Sequence, residues 1–124
     1  MLVIKTYIAP SKIHGMGVFV TEPLKEGALL WIFDSIIDQE ITKDELAALP
    51  EAVRDIALSR SFVSDDGKLI LARDNGVFLN HSDQPNMSGG LKGSYAVRDI
   101  AKDEELTEDY HQLPPGACGD FLKG

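Results

Sequence analysis

The sequence predicts an α+β domain that is rich in β-strands. Short apolar segments bounded by turn-forming residues recur along the chain, and only the stretch from Thr42 to Arg60 has the apolar period of a helix. The chain has 124 residues, which is enough to bury a hydrophobic core and is typical of one domain. We therefore expect a single domain over residues 1–124, built from many short strands and one helical segment.

Strands are predicted throughout the first third of the chain. Apolar and polar side chains alternate from Leu2 to Ile8, which indicates a half-buried strand that ends at Pro10. A second short strand is predicted from Gly17 to Val20. The apolar run from Ala28 to Ile37 is long enough for one bent strand or for two.

The helical segment begins with a recognisable cap. Thr42 and Glu45 have the spacing of a capping box, in which each side chain accepts from the other residue's backbone amide. Pro50 interrupts the segment, so we expect two helical pieces, the second of which begins near this proline. One face is predicted to be buried; its residues are Leu46, Leu49, Val53, Ile56 and Ala57.

The second half of the chain contains further turn and strand signals. Phe62–Val63 and Lys68–Ala72 flank a stretch of turn-forming residues, which is the pattern of a β-hairpin. Another turn is predicted at Asn75-Gly76, and a short strand is predicted from Tyr95 to Arg98.

The sequence also contains one weak similarity between two of its own segments, which we call the internal echo. A strand, a charged turn and a second strand between residues 20 and 29 recur 77 positions later. The matching pairs are Val20 and Val97, Lys25 and Lys102, and Leu29 and Leu106. We interpret the echo as one β-hairpin design used twice rather than as a repeat protein.

The charge of the chain narrows the classes of partner. Twelve Lys and Arg residues stand against twenty Asp and Glu residues, which gives a net charge of −8 at pH 7. This balance argues against a nucleic-acid partner, because phosphate contacts need a basic surface. It suits a basic substrate, which an acidic surface attracts at low salt.

The composition also bears on location. No apolar run reaches the length of a membrane span, and the first residues lack the pattern of a signal peptide. The single cysteine, Cys118, rules out an internal disulfide and a cysteine-rich zinc cluster. We expect no membrane partner and an intracellular protein, cytoplasmic in a bacterium and cytoplasmic or nuclear in a eukaryotic or viral setting.

Two polar features are candidates for a binding site. The block from Asn80 to Asn86 follows directly on the apolar Val77–Leu79, and polar groups pressed against a core must find hydrogen-bond partners. A polar turn that satisfies its own backbone is the alternative. Gly15 and Gly17 would let the backbone approach a ligand closely, although an ordinary turn explains them as well.

The histidines do not form a metal-binding pattern. His81 with Asp83, or His111 with Asp109 and Glu108, could be proposed as metal ligands, but neither group forms a three- or four-ligand set at helical or hairpin spacing. We therefore expect no metal. Tyr110 ends the last strand-like segment. Its residue type and position alone predict a half-buried packing residue.

Taken together, three blocks of the sequence resemble the SET domain, the fold of one family of protein-lysine methyltransferases. Gly15–Val20 is similar to the family's N-terminal glycine motif, Val77–Asn86 to its asparagine-histidine-serine block, and Glu104–Tyr110 to its C-terminal block, which ends in a key tyrosine. The resemblance runs from about residue 7 to residue 110 in the family order, and residues 111–124 form a short tail. In size the chain resembles the smallest stand-alone SET proteins, which are found in viruses and bacteria.

The resemblance implies a fold and a cofactor. The fold is a β-clip-like arrangement of several small sheets with one short helical insert and a knot-like crossing, in which the C-terminal block threads past a loop near the middle block. The cofactor is S-adenosylmethionine. By resemblance, the backbone at Met16 and Gly17 contacts its methionine part, Asn80 holds its ammonium or carboxylate end, and the backbone of His81 meets its adenine.

The resemblance also implies how the substrate lysine is reached. Tyr110 is the catalytic residue, lining the pore through which the methyl group is transferred and also contacting the cofactor. Glu108 stands where the family usually has an aromatic residue that helps to set the number of methyl groups added, so it is predicted to lie in the substrate channel. Phe121 is the candidate for closing that channel from the tail.

The sequence therefore supports one leading function and two alternatives. The leading function is an S-adenosylmethionine-dependent protein-lysine N-methyltransferase acting on a basic, lysine-containing protein or peptide tail. One alternative is a SET-like module that binds a peptide or the cofactor with little or no turnover, and the other is an unrelated β-rich interaction domain. A homodimer that completes the substrate groove is a further hypothesis, which sedimentation showing only monomer would contradict.

Overall fold

A computed structural model describes residues 1–63, 69–90 and 93–109 of the chain. Within these ranges the chain forms ten short strands, two α-helices and one 3-10 helix. The strands are β1 (Thr6–Pro10), β2 (Met16–Val20), β3 (Leu29–Trp31), β4 (Gln39–Ile41), β5 (Ser61–Val63), β6 (Leu69–Leu71), β7 (Asn80–His81), β8 (Met87–Gly90), β9 (Gly93–Ala96) and β10 (Glu105–Glu108). The helices are α1 (Lys43–Ala48), α2 (Glu51–Ser59) and the 3-10 helix Asn75–Phe78.

The strands form three small sheets. One sheet has the order β1-β2-β10-β7, the second β3-β9-β8 and the third β4-β6-β5. In the four-stranded sheet β10 is antiparallel to β2 and parallel to β7. The C-terminal strand therefore lies between two strands from much earlier in the chain, which brings all three sequence blocks into one sheet.

Among the described residues, two hydrophobic clusters hold these sheets together. The larger one fills the space between the four-stranded sheet and the β3-β9-β8 sheet; its buried residues are Val18, Val20, Leu30, Trp31, Leu79, Met87, Ala96, Ile100 and Leu106. The smaller one joins the third sheet to the helices; its buried residues are Ile41, Leu46, Ala57 and Leu69. Burial of this apolar surface is the main favourable term in folding.

The helical insert has the predicted start and the predicted break. Thr42 Oγ1 accepts from the Glu45 amide at 3.1 Å, and the Glu45 carboxylate accepts from the Thr42 amide at 3.0 Å, so the capping box is present. Leu49 and Pro50 are both extended, with ψ of 147° and 146°, and they separate α1 from α2. None of the helices in the described ranges is long and apolar enough to cross a membrane.

The buried face predicted for the helical segment is partly wrong. Leu46 and Ala57 are buried, but Val53 and Ile56 are 48% and 56% exposed. The prediction assumed that one helical period continues through Pro50. In the structure, two extended residues at the break rotate α2 relative to α1. The burial pattern of α1 therefore does not continue into α2.

Two predicted strands have different bounds in the structure. The first strand spans Thr6–Pro10 and so includes Pro10, while Leu2 forms an isolated bridge with Trp31. In the apolar run from Ala28 to Ile37 only Leu29–Trp31 is a strand. The run then turns, because side chains cap the backbone: Asp38 accepts from the Asp34 amide at 2.9 Å.

The remaining predictions for the second half are closer to the structure. β5 and β6 pair antiparallel as the predicted hairpin, although its turn lies outside the described residues. Asn75-Gly76 begins a 3-10 helix capped by Asp74 rather than an ordinary turn. The strand predicted from Tyr95 to Arg98 is β9 and ends at Ala96.

The two segments of the internal echo lie side by side. The Leu24 amide donates to Ile100 O and the Ile100 amide donates to Leu24 O, both at 2.8 Å. At the ends of the pair, the Gly27 amide donates to Ala96 O at 2.8 Å. Neither segment is the predicted hairpin, because β2 and β3 lie in different sheets, as do β9 and β10. The two connections instead pair with each other in antiparallel fashion, which links the N-terminal half of the fold to β10.

Candidate functional site

The candidate site lies where β10 joins β2 and β7. Along β10, Leu106 is opposite Val18 of β2, while Thr107 is opposite Asn80 of β7. The next residue along, Glu108, pairs with His81. The glycine block, the Asn80 block and the acidic C-terminal block thus converge, as the resemblance implied.

The Asn80 side chain closes the loop that precedes β2. Its Nδ2 atom donates to His14 O at 3.0 Å, to Met16 O at 3.1 Å and to Glu105 Oε2 at 2.9 Å. Three oxygens around this atom determine the orientation of the amide, because they are acceptors that can share the two N–H donors, whereas the amide oxygen could bind none of them. The Asn80 Oδ1 atom forms no hydrogen bond within the described part of the chain, and it remains the acceptor that a ligand can use.

The loop over residues 11–17, here called the glycine loop, requires glycine at two positions for different reasons. Gly15 has φ +48°, a left-handed conformation that favours glycine. At Gly17 the reason is space: a Cβ would lie 2.4 Å from Glu105 Oε2. Met16 between them is 43% exposed, whereas Gly17 is buried, so it is at Gly15 and Met16 that this stretch reaches the surface.

Asn86 connects the middle block to the C-terminal strand from inside the core. It is 1% exposed, and its Nδ2 atom donates to Glu105 O at 2.7 Å and to Glu104 Oε2 at 2.9 Å. Its Oδ1 atom accepts from the Thr107 amide at 2.9 Å. Arg98 binds the same Glu104 carboxylate at 2.7 Å, so Asn86 belongs to a connected polar network.

The His81 side chain lies between two carboxylates. Its Nε2 atom is 2.8 Å from Asp83 Oδ1, and its Nδ1 atom is 3.8 Å from Asp109 Oδ1. Within residues 1–63, 69–90 and 93–109, no group of three or more His, Cys, Asp and Glu residues has metal-binding geometry. The neighbours of His81 thus form a charged surface cluster beside β7.

Glu108 carries a carboxyl group in an unusual environment. Burial raises the pKa of this carboxyl group from 4.5 to about 7, because removal from water disfavours the charged form. The described residues offer this carboxyl group no ion pair that would offset the loss of water. At neutral pH both its protonated and its ionised forms are therefore populated.

Comparison with known families identifies the fold. The SET domain matches residues 15–111. The chain belongs to the SET domain family. The match confirms the family that the three sequence blocks resemble. The several small sheets confirm the predicted β-rich α+β class.

Individual relatives of this SET domain carry related names. It is 36% identical over 118 residues to a Neurospora crassa protein named histone-lysine N-methyltransferase, H3 lysine-4 specific, covering 82% of this chain and 8% of that protein. It is 33% identical over 131 residues to the Arabidopsis thaliana histone-lysine N-methyltransferase MEDEA, covering 97% of this chain and 18% of that protein. The chain thus spans less than a fifth of the length of these two curated relatives.

A solved structure resembles the SET domain along most of its length. It is a Plasmodium falciparum protein described as a candidate histone methyltransferase. The two share 25% sequence identity with a TM-score of 0.61, over 86% of this chain and 93% of that chain. The arrangement of small sheets is therefore that of a SET methyltransferase structure.

Two predicted site residues of the SET domain lie outside the described residues. Tyr110 and Phe121 are in the stretch from 110 to 124, so their roles stay predictions, as does the knot-like passage of the C-terminal block. The structure brings Met16, Gly17 and Asn80 together, with His81 and Glu108 beside them on β7 and β10.

Sequence reasoning missed two residues that organise this site. Ser11 and Glu105 meet through their side chains, although they lie far apart in the sequence. The only sequence signal was their position, since Ser11 precedes the glycine motif and Glu105 lies in the acidic C-terminal block.

Proposed function

We propose that this SET domain is an S-adenosylmethionine-dependent protein-lysine N-methyltransferase that acts on a basic protein or peptide tail. The observation that carries the proposal is the anchored side chain of Asn80, whose amide nitrogen is bound to the glycine loop and whose Oδ1 atom is left as an acceptor. The names of the relatives support the reaction class. Because the chain spans a small part of those proteins, their specific substrates are not carried over.

The chemistry of these groups fits the cofactor. An amide oxygen suits the ammonium end of S-adenosylmethionine rather than its carboxylate, because the Asn80 donors are already used by His14, Met16 and Glu105. We propose that the backbone at Met16 and Gly17 holds the methionine part and that the His81 backbone meets the adenine. When bound, the cofactor supplies a methyl group carried on a sulfonium.

The remaining task of the chain is to present a neutral lysine amine. A free lysine has a pKa of about 10.4, so removing its proton at pH 7 costs about 4.6 kcal/mol. A channel that excludes water lowers this cost by disfavouring the charged form. We propose that Glu108 lines the channel, where its carboxyl group can accept a hydrogen bond from the amine, and that the Tyr110 hydroxyl orients the reacting groups.

The acidic surface supports a basic protein partner. A net charge of −8 attracts lysine-rich segments and repels nucleic acid. We propose an intracellular location, since the relatives' names refer to histones. A homodimer stays a hypothesis, and sedimentation velocity measures it directly.

Replacing Asn80 by alanine is expected to weaken S-adenosylmethionine binding by at least about tenfold, because the ammonium loses its acceptor and the glycine loop loses its anchor. Calorimetric titration of the wild-type and Asn80→Ala proteins with the cofactor and with its demethylated product measures the effect. Saturable one-site binding by the wild type is the expected starting point. A wild-type protein that binds neither compound contradicts the proposed function.

Replacing Tyr110 by phenylalanine is expected to reduce methyl transfer by at least about a hundredfold, because the hydroxyl that orients the reacting groups is lost. Transfer of labelled methyl groups to histone and other basic protein substrates provides the measurement. Unchanged peptide affinity in the variant separates loss of catalysis from loss of binding. If the wild type binds cofactor and peptide but transfers no methyl group to any substrate tested, the binding-module alternative replaces the enzyme.

A further inference from the structure

One carboxylate joins three separate parts of the candidate site. The two oxygens of Glu105 lie 2.7 and 2.9 Å from Ser11 Oγ, which donates its proton to them. Glu105 Oε2 also accepts from Asn80 Nδ2 at 2.9 Å. The same oxygen occupies the space that a Cβ at Gly17 would need.

Ser11 transmits this contact to the whole glycine loop. Because its hydroxyl proton is directed at Glu105, its lone pairs can accept from the Ile13 amide at 2.9 Å. The Ser11 amide donates to Gly15 O at 2.8 Å, which closes the loop before β2. Glu105 thus orders the loop from one side through Ser11 and from the other through Asn80.

The neighbouring acid serves a different part of the structure. Glu104 binds Arg98 and Asn86, at 2.7 and 2.9 Å, and has no described contact with Asn80 or the glycine loop. The two adjacent carboxylates therefore differ in what they connect, and Glu104 offers a matched control for Glu105.

We propose that Glu105 is a positioning residue for the cofactor: it turns the Asn80 amide so that Oδ1 faces the ligand, and it holds residues 11–17 in the conformation that binds. The inference rests on the proposed function, because it assigns to Glu105 an effect on the affinity of that cofactor. Glu105 acts through Asn80 and Ser11, so it is not a catalytic residue.

The first test measures cofactor affinity. Glu105→Ala is expected to raise the Kd for S-adenosylmethionine and for its demethylated product by about tenfold or more, by analogy with the loss of groups that orient metal ligands. Glu105→Gln should stay within about threefold of wild type, because its amide can still accept from Asn80 and donate to Ser11. Glu104→Ala is expected to lower thermal stability without changing either Kd. All titrations are run well below the unfolding temperature of each variant.

The second test needs no cofactor. Trypsin cleavage after Lys12, an exposed residue in the loop, is measured by mass spectrometry relative to cleavage after Arg60. Glu105→Ala should accelerate cleavage after Lys12 several-fold, whereas Glu104→Ala should leave the ratio unchanged, because only Glu105 orders the loop. Ser11→Ala should reproduce the effect of Glu105→Ala on this ratio.

The outcomes separate this inference from the proposed function. If the wild type binds the cofactor and Glu105→Ala binds it equally well, or if Glu104→Ala weakens binding as much as Glu105→Ala does, the positioning role is wrong while the function stands. If the wild type binds no cofactor, the proposed function is wrong and so is any cofactor role of Glu105, whatever the proteolysis result. The inference is supported by weakened binding in Glu105→Ala together with faster loop cleavage in both Glu105→Ala and Ser11→Ala, while Glu104→Ala changes neither.

Discussion

Replacing Asn86 by alanine is expected to lower the free energy of unfolding by about 3–5 kcal/mol. The side chain is 1% exposed and bonds both to the Thr107 amide and to Glu105 O. Alanine leaves these backbone groups buried without partners, each at a cost of about 1–3 kcal/mol. It also removes a neutral donor from the Glu104 carboxylate. Urea denaturation followed by circular dichroism measures the change.

A second asparagine provides the matched control for Asn86. Asn75 is partly buried and donates one hydrogen bond, to Thr6 Oγ1 at 3.0 Å. Asn75→Ala should cost only about 1 kcal/mol, because one ordinary hydrogen bond is lost. Equal losses of stability in the two variants would show that the network around Asn86 contributes no more than one partly buried hydrogen bond.

Replacing Glu108 by glutamine is expected to change how stability depends on pH. The pKa of Glu108 is about 7 in the folded protein and 4.5 for an ordinary glutamate. Between these values the folded state keeps the proton that the unfolded state has lost, so the wild type loses stability as pH rises. The loss relative to Glu108→Gln is expected to begin near pH 4.5, to level off above pH 7 and to reach at most about 3 kcal/mol.

The measurement for Glu108 is a difference between proteins at each pH. Urea denaturation of wild type and Glu108→Gln from pH 5 to pH 8 isolates this one group, because the other titrating groups are common to both. The exposed Glu22 supplies a control, since Glu22→Gln should give a nearly constant difference over the same range. Parallel curves for wild type and Glu108→Gln would contradict the burial of this carboxyl group.

The features that were predicted best depend on neighbours in sequence. The Thr42 and Glu45 capping box and the break at Pro50 are set by backbone groups within a few residues, and both are present in the structure. The hairpin of β5 and β6 is likewise a local pairing. The failure at Val53 and Ile56 has the opposite origin, because which side of α2 faces the core depends on how the chain leaves Pro50.

The candidate site was predictable in part. Asn80 and the glycine loop were identified by resemblance, and Asn80 contacts the loop in the structure. The anchoring role of Asn86 and the link from Glu105 to Ser11 were not predicted. In the sequence alone these residues look like those of any polar loop or acidic turn. Their contacts exist only when the strands that carry them lie side by side.

The sequence by itself determined the family, the β-rich class, the divided helical insert and the order of the three blocks. These depend on local backbone preferences and on motifs that can be read in one dimension. Only the tertiary structure decided that β10 lies between β2 and β7 and that the Glu105 carboxylate meets Ser11 and Asn80. Hydrogen bonds between groups 94 and 25 residues apart leave no local pattern, because their geometry exists only after long-range strand pairing has brought the partners within 3 Å.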